Sequence, residues 1–448
     1  MNGTLYMNQT RSIGCILTST LAIGGLAFGA EQNIDVLSQI AELKAEIASL
    51  KSNSGGDQWL TEQRAAEIRS IVTDVLADAG NRTSLQGAAA SSGYNGGFFL
   101  SSADGNYSMK VNVLEQIRWT YSDRSGVPAG NANNWGFENK RTRMRWSGNI
   151  VDSSWTYKVA YYFAYANDLE FFGATTVLAD VFVAKDLGNG FSLTVGQFCL
   201  PYCAEVCLDA GMLQFNDYST VGSIFSDNYG QGLMLTYTSD AFAVTAAYVN
   251  SLNNANEAFD NNSPNDDFAF SGRATYKCSG TWAQFCSAQS FKGEEMGVLI
   301  GAGFSCEEAN ANDSSVYSLT GDVTIDFGGA NLMAAYFWDN LDDGVATFNP
   351  YGFTVQGGVF VTDDCEIVAR YEFGSLDTGS TGEFSALTFG ANWYMAQNTA
   401  KFGANFGYAF DEVTEVWYEF GAQGNNWLAD AAGEDGQWMI QGQLSFSF

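Results

Sequence analysis

The sequence predicts an all-β protein, a 16-stranded antiparallel transmembrane β-barrel preceded by a short N-terminal coiled coil and helix. Three observations predict it. From Tyr94 onward the apolar residues alternate with polar ones, which puts them on opposite faces of a sheet. The connections between these segments alternate between tight turns and long polar loops, the arrangement of outer-membrane barrels. The last segment, Gln437 to Phe448, sets Trp438, Ile440, Leu444, Phe446 and Phe448 with Gly442 on one face, and Gln437, Gln441, Gln443, Ser445 and Ser447 on the other, broken only by Met439. Such a strand turns its apolar face to lipid and its polar face to water, and its terminal Phe suits bacterial barrel insertion.

Residues 1–29 read as a secretory signal peptide, with translation starting at Met1 or Met7. Arg11 supplies the positive end, Ile13 to Phe28 the apolar stretch and Ala27-Phe28-Gly29 a small-x-small cleavage site. Cys15 does not fit a lipoprotein signal, because it precedes most of the apolar stretch and Ser12 stands where an aliphatic residue is expected. Residues 30–52 read as a coiled coil. Val36, Ile40, Leu43, Ile47 and Leu50 form a heptad seam, with Asn33 in register and Glu42, Lys44, Glu46 and Lys51 outside it. So short a seam is marginal alone and needs subunits already held together. Ser52 to Gly56 is a flexible linker. Residues 57–80 read as a periplasmic helix with Ile68, Ile71, Val72, Val75 and Leu76 on one face. It either packs on the barrel end and its neighbours or serves as a cell-wall tether.

The barrel domain spans 94–448. Its 16 strand-like segments are 106–121, 136–151, 155–167, 175–187, 191–199, 229–239, 241–250, 268–278, 296–306, 314–327, 330–340, 352–362, 365–374, 384–397, 400–411 and 436–448. In one of them Tyr317, Leu319, Val323, Ile325 and Phe327 oppose Ser318, Thr320, Asp322, Thr324 and Asp326. Most exceed the roughly 5–6 residues of globular strands and suit tilted membrane strands. Tight turns are expected at 152–154, 187–190, 239–240, 328–329 and 363–364. Long polar loops are expected at 123–135, 253–267, 278–295 and 375–383.

Composition excludes several functions. With 50 acidic and 20 basic residues the net charge is −30, which argues against nucleic acid. The chain has no His, so Ser-His-Asp triads, His-based zinc sites and imidazole catalysis are removed. No phosphate-binding glycine motif stands between strand and helix. The 49 Gly, 4 Pro and 15% aromatics suit long paired strands with aromatic girdles. No catalytic residues, cofactor or metal are expected, and an enzyme is disfavoured.

Several segments are familiar as an ordered set. The lead-in Trp59 to Arg69 runs to Gly96-Gly97-Phe98-Phe99-Leu100, and a strand begins at Asp104-Gly105-Asn106-Tyr107. Then follow Arg141-Thr142-Arg143-Met144-Arg145-Trp146-Ser147-Gly148, Asp180-Val181-Phe182-Val183 and Val195-Gly196-Gln197-Phe198-Cys199-Leu200-Pro201-Tyr202. Together they resemble the phosphate-selective porin O/P family. The resemblance covers about residues 94–448, and implies a 16-stranded trimeric porin whose third loop folds inward to narrow the pore.

In a porin the pore lining carries the function. Arg141, Arg143 and Arg145 share one face of the second strand, opposite Thr142, Met144 and Trp146. Cations facing lipid cost about 2–4 kcal/mol each near the midplane, so they should form a basic ladder in the lumen. Arg118 and Lys158 extend it, and Arg273, Arg370 and Lys401 also fall on polar faces. The longest unpatterned stretch, about 200–228, stands after the fifth strand, where the family's constriction loop sits. It contains Glu205, Asp209, Asp217 and Asp227 with Tyr202, Phe215 and Tyr218, and no Lys or Arg. Facing the ladder, it would create a transverse field; equally, the arginines would simply pair with the loop's acids. The resemblance implies that a dedicated phosphate pore would be lysine-rich around this loop, and the departure from it speaks against phosphate selectivity. Calcium at Asp209 and Asp217 is a weaker reading, without EF-hand spacing.

The exported chain keeps seven of its 8 Cys. Disulfides are expected between Cys278 and Cys286 and within the Cys199, Cys203, Cys207 cluster, with Cys306 and Cys365 alone. The function expected is passive diffusion of small hydrophilic solutes or ions through a homotrimeric outer-membrane porin, with the N-terminal helical segment in the periplasm. The alternative is an envelope protein tethering the outer membrane to the cell wall through residues 30–80.

Overall fold

The computed structural model describes residues 44–45, 72–73, 90–127, 132–163, 177–227, 229–252, 268–309, 314–378 and 382–448. The chain divides into Leu17–Ala90 and a second unit that contains Ser91–Phe448. In the first, Lys44–Ala45 and Val72–Thr73 are helical; the expected signal peptide (1–29), coiled coil (30–52) and helix (57–80) otherwise lie outside the described residues. Among the described residues no helix is long and apolar enough to cross a membrane, which leaves crossing by strands open.

Sixteen strands form the wall: β1 (Ser108–Asp123), β2 (Asn133–Ile150), β3 (Asp152–Tyr162), β4 (Val177–Gly188), β5 (Phe191–Cys199), β6 (Tyr229–Thr238), β7 (Phe242–Val249), β8 (Phe268–Ser279), β9 (Gly297–Ala309), β10 (Ser314–Asp326), β11 (Ala330–Asp342), β12 (Tyr351–Phe360), β13 (Cys365–Ser375), β14 (Glu383–Ala396), β15 (Ala400–Ala409) and β16 (Trp438–Ser447). Each pairs antiparallel with the next, and β16 pairs with β1 from Trp438↔Asp123 to Ser447↔Leu114, which closes the ring. Val113 and Phe448 exchange both backbone hydrogen bonds, at 2.6 and 3.0 Å, so the final residue belongs to the closure. A closed ring leaves no unpaired edge, which lipid would penalise at every residue. Each expected strand is present; residues 164–167 of the third and 175–176 of the fourth lie outside the described residues, and the other ends fall within a few residues of expectation. Three short strands join the same sheet: the hairpin Ser91–Tyr94 and Phe98–Ser101, which pairs with the start of β1, and Thr347–Phe348.

The alternation sorts by exposure as lipid-out packing requires. On β15, Phe402 and Phe406 are each 41% exposed, while Lys401 and Asn405 are 6% and 5%. The outer face is apolar and the inner face polar, the reverse of a soluble barrel. The inside is not empty. Loop residues pack there with inward wall residues in a core that includes Val221, Phe337, Phe384, Val413, Trp417 and Trp427.

Two expectations are corrected. Residues 280–296, read as a long loop, connect β8 to β9 at the end that otherwise carries tight turns such as 189–190 and 327–329. The segment turns into the barrel, burying Phe285, Ala288, Gln289 and Ser290. The expected disulfides do not form, since none joins the described cysteines. Cys278 stands exposed at a bulge between Lys277 and Ser279, whereas Cys286 Sγ donates to Trp282 O at 3.4 Å. Cys203 Sγ lies instead 2.9 Å from Ser226 Oγ.

Leu319, outward on β10 and 48% exposed, tests the assignment of faces. Leu319→Arg should cost about 2–4 kcal/mol in urea unfolding from liposomes, and Leu319→Phe little.

Candidate constriction site

The lumen is crossed by residues 200–227, which leave β5 and fold inward. Nearly all of them are buried. A short 3-10 turn, Ala210–Met212, is capped by Asp209, whose side chain accepts from Gly211 N. A short helix, α1 (Thr220–Ile224), is capped by Ser219, whose hydroxyl accepts from Gly222 N. Both turns satisfy their own backbone groups, which a segment buried inside a barrel must do.

The loop is held by charge. Asp217 is bound by Arg118 of β1, which is fully buried, and by Arg141 of β2 at 2.8 Å. Asp209 is bound by Arg143 at 2.5 Å and Arg145 at 3.0 Å. Two loop carboxylates thus each grip two arginines. Arg141 also lies over the Tyr218 ring, 5.6 Å from its centroid. Burial opposes ionisation of Asp217, but Arg118, Lys140 and Arg141 outweigh it and hold the carboxyl well below the usual carboxylate range. Burial acts likewise on Asp209, and Arg143 and Arg145 outweigh it in the same direction.

The other expected cations also face the lumen. Lys158 pairs with Asp180 of the wall at 2.8 Å. Arg273 forks onto Asp322, at 2.6 and 2.7 Å. Arg370 donates to Asp217 O at 3.0 Å and covers the Phe215 ring, and Lys401 donates to Leu213 O at 2.5 Å. Arg273 also donates to Tyr202 O at 3.0 Å, so seven of the eight hold the loop and Lys158 holds a wall acid. The expected open field is corrected accordingly: the arginines touch the loop carboxylates instead of facing them across open water, although four arginines meet only two loop carboxylates. Nor do all four loop acids face the ladder. Glu205 accepts from Ser219 N at 2.8 Å and lies 3.7 Å from Arg370, on the far wall. Asp227 accepts from Ser271 and Ser305 hydroxyls, at 2.7 and 2.9 Å. Asp209 and Asp217, the pair considered for calcium, are taken by arginines.

Three features escaped the sequence reading. Lys140 falls by alternation on the lipid face, yet a bulge opposite Gln116 and Ile117 re-aims it inward, 3.9 Å from Asp217. Its amine also donates to Gly424 O. Second, residues 410–437, between β15 and β16, fold into the lumen. They carry α2 (Glu415–Phe420), and Asn425 donates to Tyr218 O and Thr220 Oγ1 at 3.2 and 3.1 Å. Asn426 Oδ1 accepts from Arg118 at 2.7 Å. The buried Trp417 and Trp427 are the signal that could have found this segment. Third, residues 280–296 meet the constriction loop from the opposite end. Ala288 N donates to Met212 O at 3.0 Å, and Gln289 Nε2 to Leu213 O at 2.6 Å.

Where the inward segments touch the wall, the wall residue is often glycine. A methyl at Gly303 would collide with Tyr202 O, at Gly352 with Val221, at Gly374 with Trp417 and at Gly403 with Asn216. These glycines sit at inward positions of β9, β12, β13 and β15, a track that lets loop side chains, and at Gly303 a loop carbonyl, come close to the wall backbone.

Asp217→Ala leaves two buried guanidiniums without their carboxylate and should weaken loop docking by about 3–5 kcal/mol, read as a lower unfolding temperature and noisy single-channel current. Because the folded pKa is depressed, acid should spare the docked loop down to about pH 4, the ordinary Asp value, and release it only as pH falls through the lowered folded value. Channel recordings across that range check the sign. Trp417→Ala should free residues 410–437 from the constriction loop and raise unit conductance, measured in planar bilayers.

The chain matches the description phosphate-selective porin O and P over residues 111–413. No curated protein matches by sequence. Among solved structures it is similar to OmpF of Salmonella typhi in complex with daunomycin, at 12% identity, covering 80% of this chain and 100% of that one, with TM-score 0.53. It is similar to an anion-selective porin from Comamonas acidovorans at 11% identity, covering 76% and 99%, with TM-score 0.52. These likenesses concern the fold. The family match, the closed 16-stranded wall and the inward loop support a channel rather than the envelope tether considered as the alternative. The chain belongs to the phosphate-selective porin O and P family and is an outer-membrane porin, a passive diffusion channel.

Proposed function

We propose that this porin passes small hydrophilic solutes with little preference among anions, and that its mouths favour cations. The engagement of the basic side chains at the constriction carries this reading: Asp217 takes Arg118 and Arg141, and Asp209 takes Arg143 and Arg145. An anion filter needs basic side chains free to replace a solute's water. Here most are committed to carboxylates and loop carbonyls. Arg145 is the most open of the four arginines, with 21% of its side chain exposed. The net charge of −30 then sets the potential at the entrances and enriches cations there.

The proposed assembly is a homotrimer, with the N-terminal helical segment in the periplasm. The heptad seam of Val36, Ile40, Leu43, Ile47 and Leu50 supports self-association. So does Glu115. It alternates with the inward Leu114 and Gln116, faces outward from β1 and accepts from Thr142 Oγ1 at 2.8 Å. A carboxylate in a lipid-facing band is costly unless protein covers it. A cell-wall contact would run through residues 30–80.

Bilayer recording in a KCl gradient tests the reading. The reversal potential should show weak cation preference, phosphate should not block, and closures should come in threes. Strong anion preference or block by micromolar phosphate would overturn it.

A further inference from the structure

Four inward oxygens stand in a row across β8 to β11. Ser271 pairs with Ser305, Ser305 with Ser318, and Ser318 with Asp339. The row lies near the long-loop end of these strands, towards the cell exterior. Both ends of the constriction loop meet it. Asp227, at the loop's end, accepts from Ser271 and Ser305. Tyr202, at its start, is 1% exposed and passes against Gly303 with its carbonyl.

The row is not satisfied by the protein. Ser318 borders both Asp339 and Tyr202, but its one hydroxyl cannot serve both, and Asp339 Oδ1, Tyr202 Oη and Thr320 Oγ1 are buried without a hydrogen bond of good geometry. Among the described residues Asp339 forms no ion pair; the nearby Arg273 is occupied by Asp322. Burying a carboxylate oxygen and a phenol without partners is unfavourable, more so for the charged group. The chemistry of a ligand that would fit these groups is constrained. All the groups present are oxygens, two of them on carboxylates, which suits a hard cation. The neighbouring Cys203 thiol is taken up by Ser226 Oγ at 2.9 Å. No three acidic or thiol groups converge among the described residues, so the carboxylates must be supplemented by neutral oxygens and water.

We propose that a divalent hard cation, of the calcium or magnesium class, binds between Asp339, Tyr202, Ser318 and Asp227. It staples both ends of the constriction loop to the β8–β11 wall. Such ions take six or more oxygens and keep waters where the protein supplies too few. The staple lies away from the arginines that hold Asp209 and Asp217, so it anchors the base of the loop while they anchor its middle.

Purified full-length porin in detergent, stripped with EDTA and titrated with calcium at neutral pH, tests this. Its unfolding temperature should rise with calcium and saturate. Asp339→Asn should weaken the apparent affinity at least tenfold, and terbium bound to the wild-type protein should emit when tyrosine is excited, less so in Tyr202→Phe. No calcium shift in the wild type overturns the site whether or not the variants fold. An equal shift in Asp339→Asn overturns it as well, because the ion would then sit elsewhere on the acidic surface. Stabilisation by acid alone, without calcium, shows a protonated Asp339 and also overturns it.

Discussion

Lipid offers the backbone no hydrogen bond, and ring closure between β16 and β1 is what makes this sheet tolerable there. Without the pairing from Trp438↔Asp123 down to the Val113–Phe448 exchange, two long edges would face hydrocarbon. Every other feature inherits from that constraint. A closed wall has an inside, the inside selects polar residues by period two, and the loops that fold into it must satisfy their own backbone groups or find wall partners.

The interior resembles a soluble core more than a water-filled tube near the constriction. Residues 200–227 arrive after β5, residues 410–437 from the same end and 280–296 from the other, and the three meet around Met212, Leu213 and Tyr218. Charge sets where the first of these lies, because a buried guanidinium is tolerable only with its carboxylate beside it. Apolar packing of Trp417, Trp427, Phe384 and Val221 then fixes the second against the first. Inward glycines keep the wall thin enough for both. The cations that alternation sends inward thus serve two ends at once. They would be intolerable in lipid, and inside they hold the constriction in place.

This coupling bears on selectivity. A pore whose basic residues all faced solute would be an anion filter. Here the same residue types, at the same lumenal positions, are spent on anchoring the loop, so the arrangement that builds the constriction also occupies the donors an anion would need. Permeation then depends on size and on the acidic surface more than on a binding ladder.

The strand count, the two faces and the inward placement of Arg118, Arg141, Arg143 and Arg145 are legible in the sequence, because a period-two code in lipid is local and each residue's neighbours in the chain decide its side. The position of the inward loop is legible for the same reason, as the place where the code lapses. What the loop touches is not local. Pairing of Asp217 with Arg118 and Arg141 brings together residues far apart in the chain. The turning of Lys140 depends on a bulge set by the facing strand, and the burial of residues 410–437 depends on glycines in β13 and β15. The thiols were read from spacing, but a bulge at Cys278 and a carbonyl beside Cys286 decided that pair. Alternation determined which residues meet inside the barrel wall; only ring closure, which carries strands of distant sequence to opposite sides of one lumen, decided which of them meet each other.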